Sequence, residues 1–322
     1  MRPTSAWPRT PSPARPRRTW FLALALAVLS AALCTARPAL AGVRVTDDTG
    51  REIVLPRPAV RVIALYGAFN EILDGLGRAE AIVARTNADT TPARIAKLPV
   101  IGTHMRPNIE AVLAQKPDLV LQMAGRKEAS IPVDALMRHG VSVAVFRAGS
   151  FAELMSVIRR VGTLTGADDR AEAMVLGLQA RLDAVDAQVA RTSGRPRTFF
   201  EVRSPNMFSV GQKSLVTEII RRAGGINCVQ TPERFAHLSE EEVIRLAPEA
   251  YVIQRGPMNP APLPLADRPR LRGLPATKSG RAWFVDEMKY SRPGPRNVDA
   301  VEELARLLHP EIARKPGAKD TK

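Results

Sequence analysis

The chain has 322 residues, a formal net charge of +15 and two cysteines, Cys34 and Cys228. This length allows two lobes with separate cores or one large domain. A basic balance of this size is typical of proteins that bind nucleic acid, an acidic surface or an anionic ligand. Only Cys228 lies beyond the N-terminal apolar segment. A lone cysteine excludes an internal disulfide framework, so we expect a buried, unreactive thiol there.

The N-terminal 41 residues have the three parts of a secretory signal. Residues 1–19 contain five arginines and no acidic residue, an apolar run follows from Trp20 to about Leu33, and Ala39-Leu40-Ala41 precedes Gly42. The apolar run is shorter than the ~20 residues that a membrane-spanning helix needs. We therefore expect export to the periplasm with cleavage after Ala41.

Three alternatives to export with cleavage after Ala41 remain. A lipid-modified Cys34 would anchor the protein, but Leu33 before it is larger than the residue that normally precedes such a cysteine. The pair Arg17-Arg18 would direct the chain to a twin-arginine exporter, although the spacing between this pair and the apolar run departs from the usual signal. A segment that is not cleaved would serve as a membrane anchor.

Cleavage after Ala41 changes the charge balance. It removes six basic residues and no acidic one, which leaves 281 residues with 41 basic and 32 acidic side chains and a net charge of +9. Because an exported protein does not meet the nucleic acids of the cytoplasm, we expect no nucleic-acid partner. The remaining basic balance favours an anionic ligand.

Short apolar runs alternate with helical stretches in both halves of the remaining chain. The predicted strands lie at residues 60–65, 81–84, 119–121 and 141–146 in the first half, and at 198–202, 250–253 and 282–285 in the second. Strands that alternate with helices predict a mostly parallel sheet with helices on its faces. The sequence therefore predicts an α/β fold.

The middle of the chain, residues 151–191, is predicted to be helical with one interruption around residues 162–166. The segment after the interruption, which starts at Asp168, would span about 36 Å at 1.5 Å per residue. On either side of it, residues 114–120 and 245–252 both consist of a helix end, a proline and a strand. This similarity predicts two related lobes on either side of a rigid helix.

Six regions of the sequence match one protein family in their order and spacing. They are Val45-Thr46-Asp47-Asp48-Thr49-Gly50-Arg51-Glu52, Asn70-Glu71-Ile72-Leu73, Pro107-Asn108-Ile109-Glu110 with Lys116-Pro117-Asp118-Leu119-Val120, Val161-Gly162-Thr163-Leu164-Thr165-Gly166, Ala223-Gly224-Gly225-Ile226-Asn227, and Arg292-Pro293-Gly294-Pro295-Arg296 with His309-Pro310-Glu311. Through roughly residues 43–312, the chain resembles the periplasmic binding proteins for iron–siderophore complexes and cobalamin.

The resemblance implies a class III periplasmic binding protein, an α/β protein with two sheet-plus-helix lobes joined by a single long rigid α-helix. The implied organisation is a cleaved signal peptide at residues 1–41, an N-terminal α/β lobe at 43–165, an inter-lobe helix at 166–194, a C-terminal α/β lobe at 195–312 and a loose tail at 313–322. The ligand would lie between the lobes. The protein, which we expect to be a monomer, would deliver it to the permease subunits of an ABC importer.

The resemblance also implies that one acidic residue on each lobe meets arginines of the permease. The matching positions are Glu110 and Glu218, the latter in Ser214-Leu215-Val216-Thr217-Glu218. Without the resemblance, both would be interpreted as ordinary solvated helix residues.

Residues that follow the predicted strands are the candidates for ligand binding, because ligands of open α/β sheets bind beyond the carboxyl ends of the strands. The candidates are Tyr66, Arg85, His104, Arg126, Arg203, Arg255 and Tyr290. Arginine suits carboxylates, phosphates and the anionic faces of chelates, and tyrosine adds aromatic surface and a hydroxyl. This set favours a ferric siderophore or a similar iron chelate. The metal would belong to the transported ligand, and we expect no cofactor of the protein's own.

Corrinoid and haem ligands remain alternatives within the same family. His104 and His237 lie in predicted loops and would be the metal ligands of a haem-binding or metal-binding relative. However, the sequence contains no HxH or HExxH spacing, so bare zinc or manganese is not favoured.

A secreted α/β enzyme is the main alternative of another class. The chain lacks GxSxG, a phosphate-binding glycine loop and the helix of a zinc protease, so we expect no enzymatic activity. An adhesive or structural protein is disfavoured by the single long helix between two α/β halves.

Overall fold

A computed structural model describes residues 42–125 and 129–313, so the predicted signal segment with Cys34, Arg126 and the end of the tail lie outside the described residues. The described chain starts with a hairpin of β1 (Val43–Thr46) and β2 (Glu52–Leu55). The Asp47 carboxylate accepts hydrogen bonds from the backbone N–H groups of Thr49 at 2.9 Å and Val145 at 3.1 Å. This residue therefore ties the hairpin to the sheet that follows.

A four-stranded parallel sheet forms the N-terminal lobe. Its strands are β3 (Val62–Ala64), β4 (Ile82–Ala84), β5 (Leu119–Met123) and β6 (Val143–Phe146), in the spatial order β4-β3-β5-β6. The elements between them are α1 (Ala68–Gly75), α2 (Ile109–Ala114) and α3 (Ser130–Arg138), with 3-10 helices at Ala79–Ala81 and Ala93–Lys97. β5 is buried along its whole length, as expected of a central strand covered on both faces.

Two consecutive helices, α4 (Phe151–Thr165) and α5 (Asp168–Val189), connect the two sheets. The chain turns between them at Gly166, whose φ of +65° is easily reached by glycine. Gly162 does not interrupt α4. It instead lets α4 pack closely on α5, because a Cβ at this position would overlap the Ala171 side chain.

The C-terminal lobe contains a larger, mixed sheet. Its strands are β7 (Arg197–Arg203), β8 (Phe208–Val210), β9 (Ile226–Asn227), β10 (Phe235–His237), β11 (Ala250–Arg255) and β12 (Ala282–Asp286), in the order β10-β8-β7-β11-β12 with β9 also beside β7. Its helices are α6 (Leu215–Arg222), α7 (Glu240–Leu246), α8 (Pro275–Lys278), α9 (Glu287–Tyr290) and α10 (Asn297–Leu308), with 3-10 helices at Leu265–Asp267, Pro269–Leu271 and Pro310–Ala313. The predicted fold class, with a sheet-and-helix lobe on either side of a long helix, is confirmed.

One hydrophobic cluster runs through both lobes and includes one face of α5. The α5 residues buried in it are Ala171, Val175, Leu178, Leu182, Val185 and Val189. Their spacing is that of a helix with one apolar face, as the sequence predicts. Each lobe adds a smaller cluster of its own. Because α5 packs against both lobes, a change in their relative orientation would disturb the shared core.

The two lobes repeat one structural unit next to their central strands. In the N-terminal lobe, the Arg61 guanidinium donates to the carbonyl of Gln115 at 2.6 Å, just after α2. In the C-terminal lobe, Arg197 donates in the same way to Leu246 at 2.8 Å, at the end of α7. A shift of 131 residues relates Gln115 to Leu246.

The same shift relates the turns that follow these two helices. Lys116 and Ala247 have positive φ values of 48° and 46°, and a proline follows each. The next residue is acidic in both units: the Asp118 carboxylate accepts from the backbone N–H of Arg61 at 3.0 Å, and Glu249 accepts from that of Arg197 at 2.8 Å. The sequence similarity between residues 114–120 and 245–252 therefore corresponds to the same local hydrogen bonds in both lobes.

Cys228 is buried, and burial raises its pKa to about 11. The expectation of a buried thiol is thus confirmed, and the raised pKa favours the protonated form over the reactive thiolate. Within residues 42–125 and 129–313, no helix has the length and apolar character needed to cross a membrane.

A charged pair is buried in the C-terminal lobe. Glu201 of β7 is fully buried and accepts hydrogen bonds from the guanidinium of Arg268, one of them at 2.9 Å, and from the hydroxyl of Tyr251 at 2.6 Å. Burial, reinforced by the Glu201 charge, raises the pKa of Tyr251. The phenol therefore stays protonated and acts as a donor to the carboxylate.

We expect Arg268→Met to lower the free energy of unfolding by about 3–5 kcal/mol, because it leaves the buried Glu201 carboxylate without its cationic partner. Urea unfolding followed by circular dichroism measures this change. Arg159→Gln is the control: it removes an arginine from an exposed pair with Glu172 at 2.6 Å and should leave the stability close to that of the wild type. Equal losses in the two variants would contradict the prediction.

Candidate functional site

The carboxyl ends of the strands in the two lobes face each other across a cleft. β3 to β6 are parallel to one another, and so are β7, β11 and β12, so each lobe gathers the loops after these strands at one edge. An ion pair at 3.0 Å joins Asp89, in the loop after β4, to Arg292, in the segment after α9. A second pair joins Glu71 of α1 to Arg296 at 2.6 Å. The cleft between these edges is the candidate site.

Tyr66 and His104 lie together on the N-terminal side of the cleft. Their ring centroids are 5.8 Å apart with an interplanar angle of 84°, an edge-to-face contact. The backbone carbonyl of His104 accepts a hydrogen bond from the buried side-chain amide of Gln122 at 3.1 Å. This bond holds the His104 loop against β5, so two of the predicted ligand-binding residues are brought together.

Arg292 reaches Tyr66 from the C-terminal lobe. Its guanidinium carbon lies 5.9 Å from the centre of the Tyr66 ring. Asp89 holds the guanidinium with one carboxylate oxygen and accepts from the Thr86 hydroxyl at 2.7 Å with the other. Gly67 permits this approach, because a Cβ there would overlap Asp89 and Arg292. Close packing of side chains from both lobes therefore requires glycine at this position.

The cleft changes the pKa values of both rings. Burial raises the pKa of Tyr66, and the positive charges of Arg292 and Arg234 offset this only in part. Burial lowers the pKa of His104, and the Arg292 charge lowers it further. Both side chains are therefore neutral at neutral pH, so a phenol and an imidazole are present at the cleft.

Three arginines on the C-terminal side have no carboxylate partner among the described residues. They are Arg203 at the end of β7, Arg234 before β10 and Arg255 at the end of β11. Each lies over an aromatic ring instead: Arg203 over Phe208 at 5.8 Å, Arg234 over Phe235 at 5.1 Å and Arg255 over Phe284 at 4.2 Å. Because no acidic side chain of the described chain neutralises them, they are available to an anionic ligand.

An aromatic surface lies beside two of these arginines. His237 is opposite Phe208 in the β8–β10 ladder, with ring centroids 4.6 Å apart. Phe235 stacks on Phe208 at 5.0 Å, and both Phe235 and His237 are exposed. Within the described residues, no group of three or more His, Cys, Asp or Glu side chains is arranged to hold a metal ion.

Two other predicted ligand-binding residues have contacts inside their own lobe. The Arg85 guanidinium donates to three backbone carbonyls in residues 86–96, at 3.2 to 3.3 Å, so it supports the loop after β4. Tyr290 is 1% exposed, stacks on Phe200 at 5.9 Å, and has its pKa raised by burial. It lies in α9, which turns its ring into the core of the C-terminal lobe.

The two acidic residues matched to permease docking differ in their surroundings. Glu110 is exposed near the start of α2, and no side chain or backbone group of the described chain binds its carboxylate. Glu218 is mostly buried and accepts from the backbone N–H of Phe151 at 2.7 Å, with Arg222 at 3.4 Å. Because Phe151 begins α4, which packs with the N-terminal lobe, Glu218 joins the two lobes.

The ligand-binding candidates chosen from the strand ends do not include Glu71, Asp89, Arg292 or Arg296, which the structure places at the site. The available signal is the Arg-Pro-Gly-Pro-Arg stretch, in which two arginines flank a stiff turn. Their partners lie 203 and 225 residues earlier in the chain. No local pattern specifies such a pairing.

We expect the pKa of His104 to be below its ordinary value of 6.5 and to rise in Arg292→Gln, because that change removes a nearby positive charge and leaves Asp89 negative. An NMR titration of the imidazole protons measures both effects. Since the folded state binds the proton less readily than the unfolded state, His104 contributes its full stability above the unfolded pKa and loses it as the pH falls. An identical titration in Arg292→Gln would contradict this geometry.

Comparison with known proteins identifies the family. The family described as periplasmic binding protein matches residues 62–287, which run from β3 to the start of α9. The chain is 26% identical over 274 residues to an uncharacterized ABC transporter substrate-binding lipoprotein, YvrC, of Bacillus subtilis, and the match covers 84% of this chain and 86% of that protein. It is 24% identical over 265 residues to the vitamin B12-binding protein of Pectobacterium carotovorum, with 81% and 92% covered.

A solved structure supports the same assignment. The periplasmic heme-binding protein RhuT from Roseiflexus sp. RS-1, in its apo form, has a TM-score of 0.68 and 25% sequence identity to this chain. The match covers 79% of this chain and 99% of that structure. The chain therefore belongs to the periplasmic binding protein family, whose members are the solute-binding components of ABC importers.

Proposed function

We propose that this protein binds a bulky anionic metal chelate, a ferric siderophore or a similar iron chelate, and delivers it to the permease of an ABC importer. The observation that carries the proposal is the set of three arginines, Arg203, Arg234 and Arg255, that have no carboxylate partner in the described chain. Guanidinium groups bind carboxylates and other anionic oxygens, so such a set favours an anion. The iron belongs to the cargo, and the protein needs no cofactor of its own.

The cargo would contact both lobes. Tyr66 and His104 would meet it from the N-terminal side and the three arginines from the C-terminal side. A ligand that contacts both lobes binds the closed arrangement better than an open one, and it therefore shifts the protein towards closure. The mechanism is capture, slight closure and delivery.

Cobalamin and haem are the alternative cargoes. A vitamin B12-binding protein and a periplasmic heme-binding protein are among the relatives, and the exposed rings of Phe235 and His237 would suit a flat macrocycle. The unpaired arginines favour the ferric chelate, because a strongly anionic ligand compensates them best.

The proposed place of action is the periplasm, after export and cleavage at Ala41, with the protein as a monomer. Lipid attachment at Cys34 is the alternative, and the Bacillus subtilis relative is described as a lipoprotein. The intact mass of the exported protein distinguishes the two routes, because cleavage after Ala41 removes Cys34 whereas lipidation retains it.

We expect the protein purified from its native host to carry a coloured chelate, identified by absorption and mass spectrometry. Titration with a ferric catecholate, a ferric hydroxamate, haemin and cyanocobalamin, followed by intrinsic fluorescence, then ranks the cargo classes. Arg203→Gln with Arg255→Gln should weaken binding of the preferred ferric chelate by at least about tenfold, which corresponds to about 1.4 kcal/mol.

The control for this titration is Arg245→Gln, which removes one arginine charge from the exposed surface of α7 and should leave the affinity unchanged. Tight binding of cyanocobalamin or haemin without binding of either ferric chelate would replace the proposed cargo. Absence of any effect in the double arginine variant would contradict the role of the cleft arginines.

Docking on the permease is proposed to use Glu110 together with Glu241. The internal repeat relates these two residues, since each is the second residue of its helix after the capping residues Asn108 and Ser239. Both are exposed. Glu241 has an ion pair with the exposed Arg270 at 2.7 Å, and an exposed pair of this kind is weak enough to exchange for another cation.

Glu218, which the family resemblance pairs with Glu110, is the alternative on the C-terminal lobe. Its carboxylate is occupied by the Phe151 N–H group, and an arginine of the permease would have to displace that contact. This difference supports Glu241 over Glu218 as the docking residue.

We expect Glu110→Lys with Glu241→Lys to abolish uptake of the cargo by cells while the purified protein still binds it, because cations would then face the arginines of the permease. Glu110→Lys with Glu218→Gln should behave like Glu110→Lys alone. Uptake of an iron-labelled chelate and in vitro titration measure the two properties. Continued uptake in the Glu110/Glu241 double variant would overturn the docking proposal, and a larger loss with Glu218→Gln would assign that role to Glu218.

A further inference from the structure

The segment Arg292-Pro293-Gly294-Pro295-Arg296, here called the arginine fork, connects α9 to α10 and contacts the N-terminal lobe at three points. Arg296 forms a bidentate pair with Glu71 of α1, with N–O distances of 2.8 and 2.6 Å. Arg292 donates to Asp89 at 3.0 Å. Between the two pairs, a Cβ on Gly294 would lie 3.4 Å from the Cβ of Ala68. The fork and α1 are therefore in close contact across the lobe boundary.

The arginine fork is held firmly by its own lobe. Its two prolines restrict the backbone. The backbone N–H of Gly294 donates to the side chain of Asn297 at 2.7 Å, and the Asn297 amide donates to the carbonyls of Lys289 and Tyr290 at 2.8 and 3.1 Å. Asn297 itself is fully buried. The two guanidinium groups thus extend from a rigid base.

The acidic partners of the arginine fork are shielded from water. The side chain of Glu71 is 11% exposed and that of Asp89 is 2% exposed. A carboxylate with little access to water depends on its protein partner for compensation of its charge. Separation of the lobes at this point would break both ion pairs, and water would have to replace the guanidinium groups as partners of the carboxylates.

The arginine fork lies at one end of the cleft. Asp89 follows β4 and the fork follows β12 and α9, and each of these strands is at the edge of its sheet. The opposite edge strand of the N-terminal sheet is β6, and there Glu218 accepts from Phe151 at 2.7 Å. Tyr66 follows β3, an interior strand. The cleft is therefore bounded by polar contacts between the lobes at both ends.

We propose that Arg292 and Arg296 are positioning residues that clasp the two lobes and so set the width of the cleft. Arg296 with Glu71 supplies the directional bidentate contact, and Arg292 with Asp89 places the clasp next to Tyr66. The clasp fixes the separation between Tyr66 and the arginines of the C-terminal lobe. It acts in the same way whichever chelate the protein carries.

Distances between the lobes test this proposal directly. Spin labels at the exposed positions Lys97 and Lys278, each changed to cysteine in a background with Cys34→Ala and Cys228→Ala, report the separation by double electron–electron resonance. We expect Arg296→Met to shift or broaden the distance distribution of the cargo-free protein by more than about 2 Å, the size that separates lobe rearrangement from side-chain adjustment.

A double-variant comparison assigns the effect to the pair. Glu71→Met should change the distribution as Arg296→Met does, and the two together should do no more than either alone, because each removes the same interaction. The matched control is Arg159→Gln, which breaks a bidentate pair with Glu172 between α4 and α5, at 2.6 and 3.0 Å. This pair does not cross the cleft, so the distribution should stay that of the wild type.

Thermal unfolding of each variant establishes that it is folded, and Arg292→Met tests the same clasp if Arg296→Met does not fold. An unchanged distribution in the folded clasp variants would overturn the proposal. So would additive effects of Arg296→Met and Glu71→Met, or a shift in Arg159→Gln as large as that in Arg296→Met. The distance readout uses cargo-free protein, so its outcome is separate from that of the cargo titration.

Discussion

The packing of one face of α5 against both lobes is the constraint on which the rest of this structure depends. The buried residues from Ala171 to Val189 lie in a hydrophobic cluster that continues into each lobe. A well-packed core resists small displacements, so the shared cluster limits the movement of the lobes. Contacts across the cleft, such as that of Asp89 with Arg292, need this stable orientation because hydrogen bonds weaken steeply with distance and angle.

The internal repeat explains why the two lobes present similar helix ends. Arg61 and Arg197 bind the carbonyls of Gln115 and Leu246 at the ends of α2 and α7 in the same way, and the same 131-residue shift relates Glu110 to Glu241 near the starts of these helices. Glu110 and Glu241 are both exposed there. Glu218 has a different role within the structure, since its carboxylate bonds to the first N–H of α4. A helix N-terminus favours a negative charge, which stabilises this contact between the lobes.

The arginines around the cleft fall into two groups with different physical roles. Arg292 and Arg296 are neutralised by Asp89 and Glu71 and join the lobes. In contrast, Arg203, Arg234 and Arg255 of the C-terminal lobe lie over aromatic rings, without an acidic partner in the described chain. We propose that the second group binds an anionic cargo and that the first group sets the width of the cleft.

Local sequence patterns determined the α/β fold, the long helix after Gly166 and the repeated unit, because apolar spacing, prolines and capping residues act within a few positions of one another. The strand-end rule also brought Tyr66 and His104 to one edge, where they are in contact. Their binding of cargo stays a prediction. Side-chain direction was decided only by the tertiary structure: Arg85 supports its own loop and Tyr290 lies in the core. The tertiary structure alone also decided the ion pairs of the arginine fork, which join residues 203 and 225 positions apart in the chain. Only the packing of both lobes on α5 brings such distant side chains within hydrogen-bonding distance.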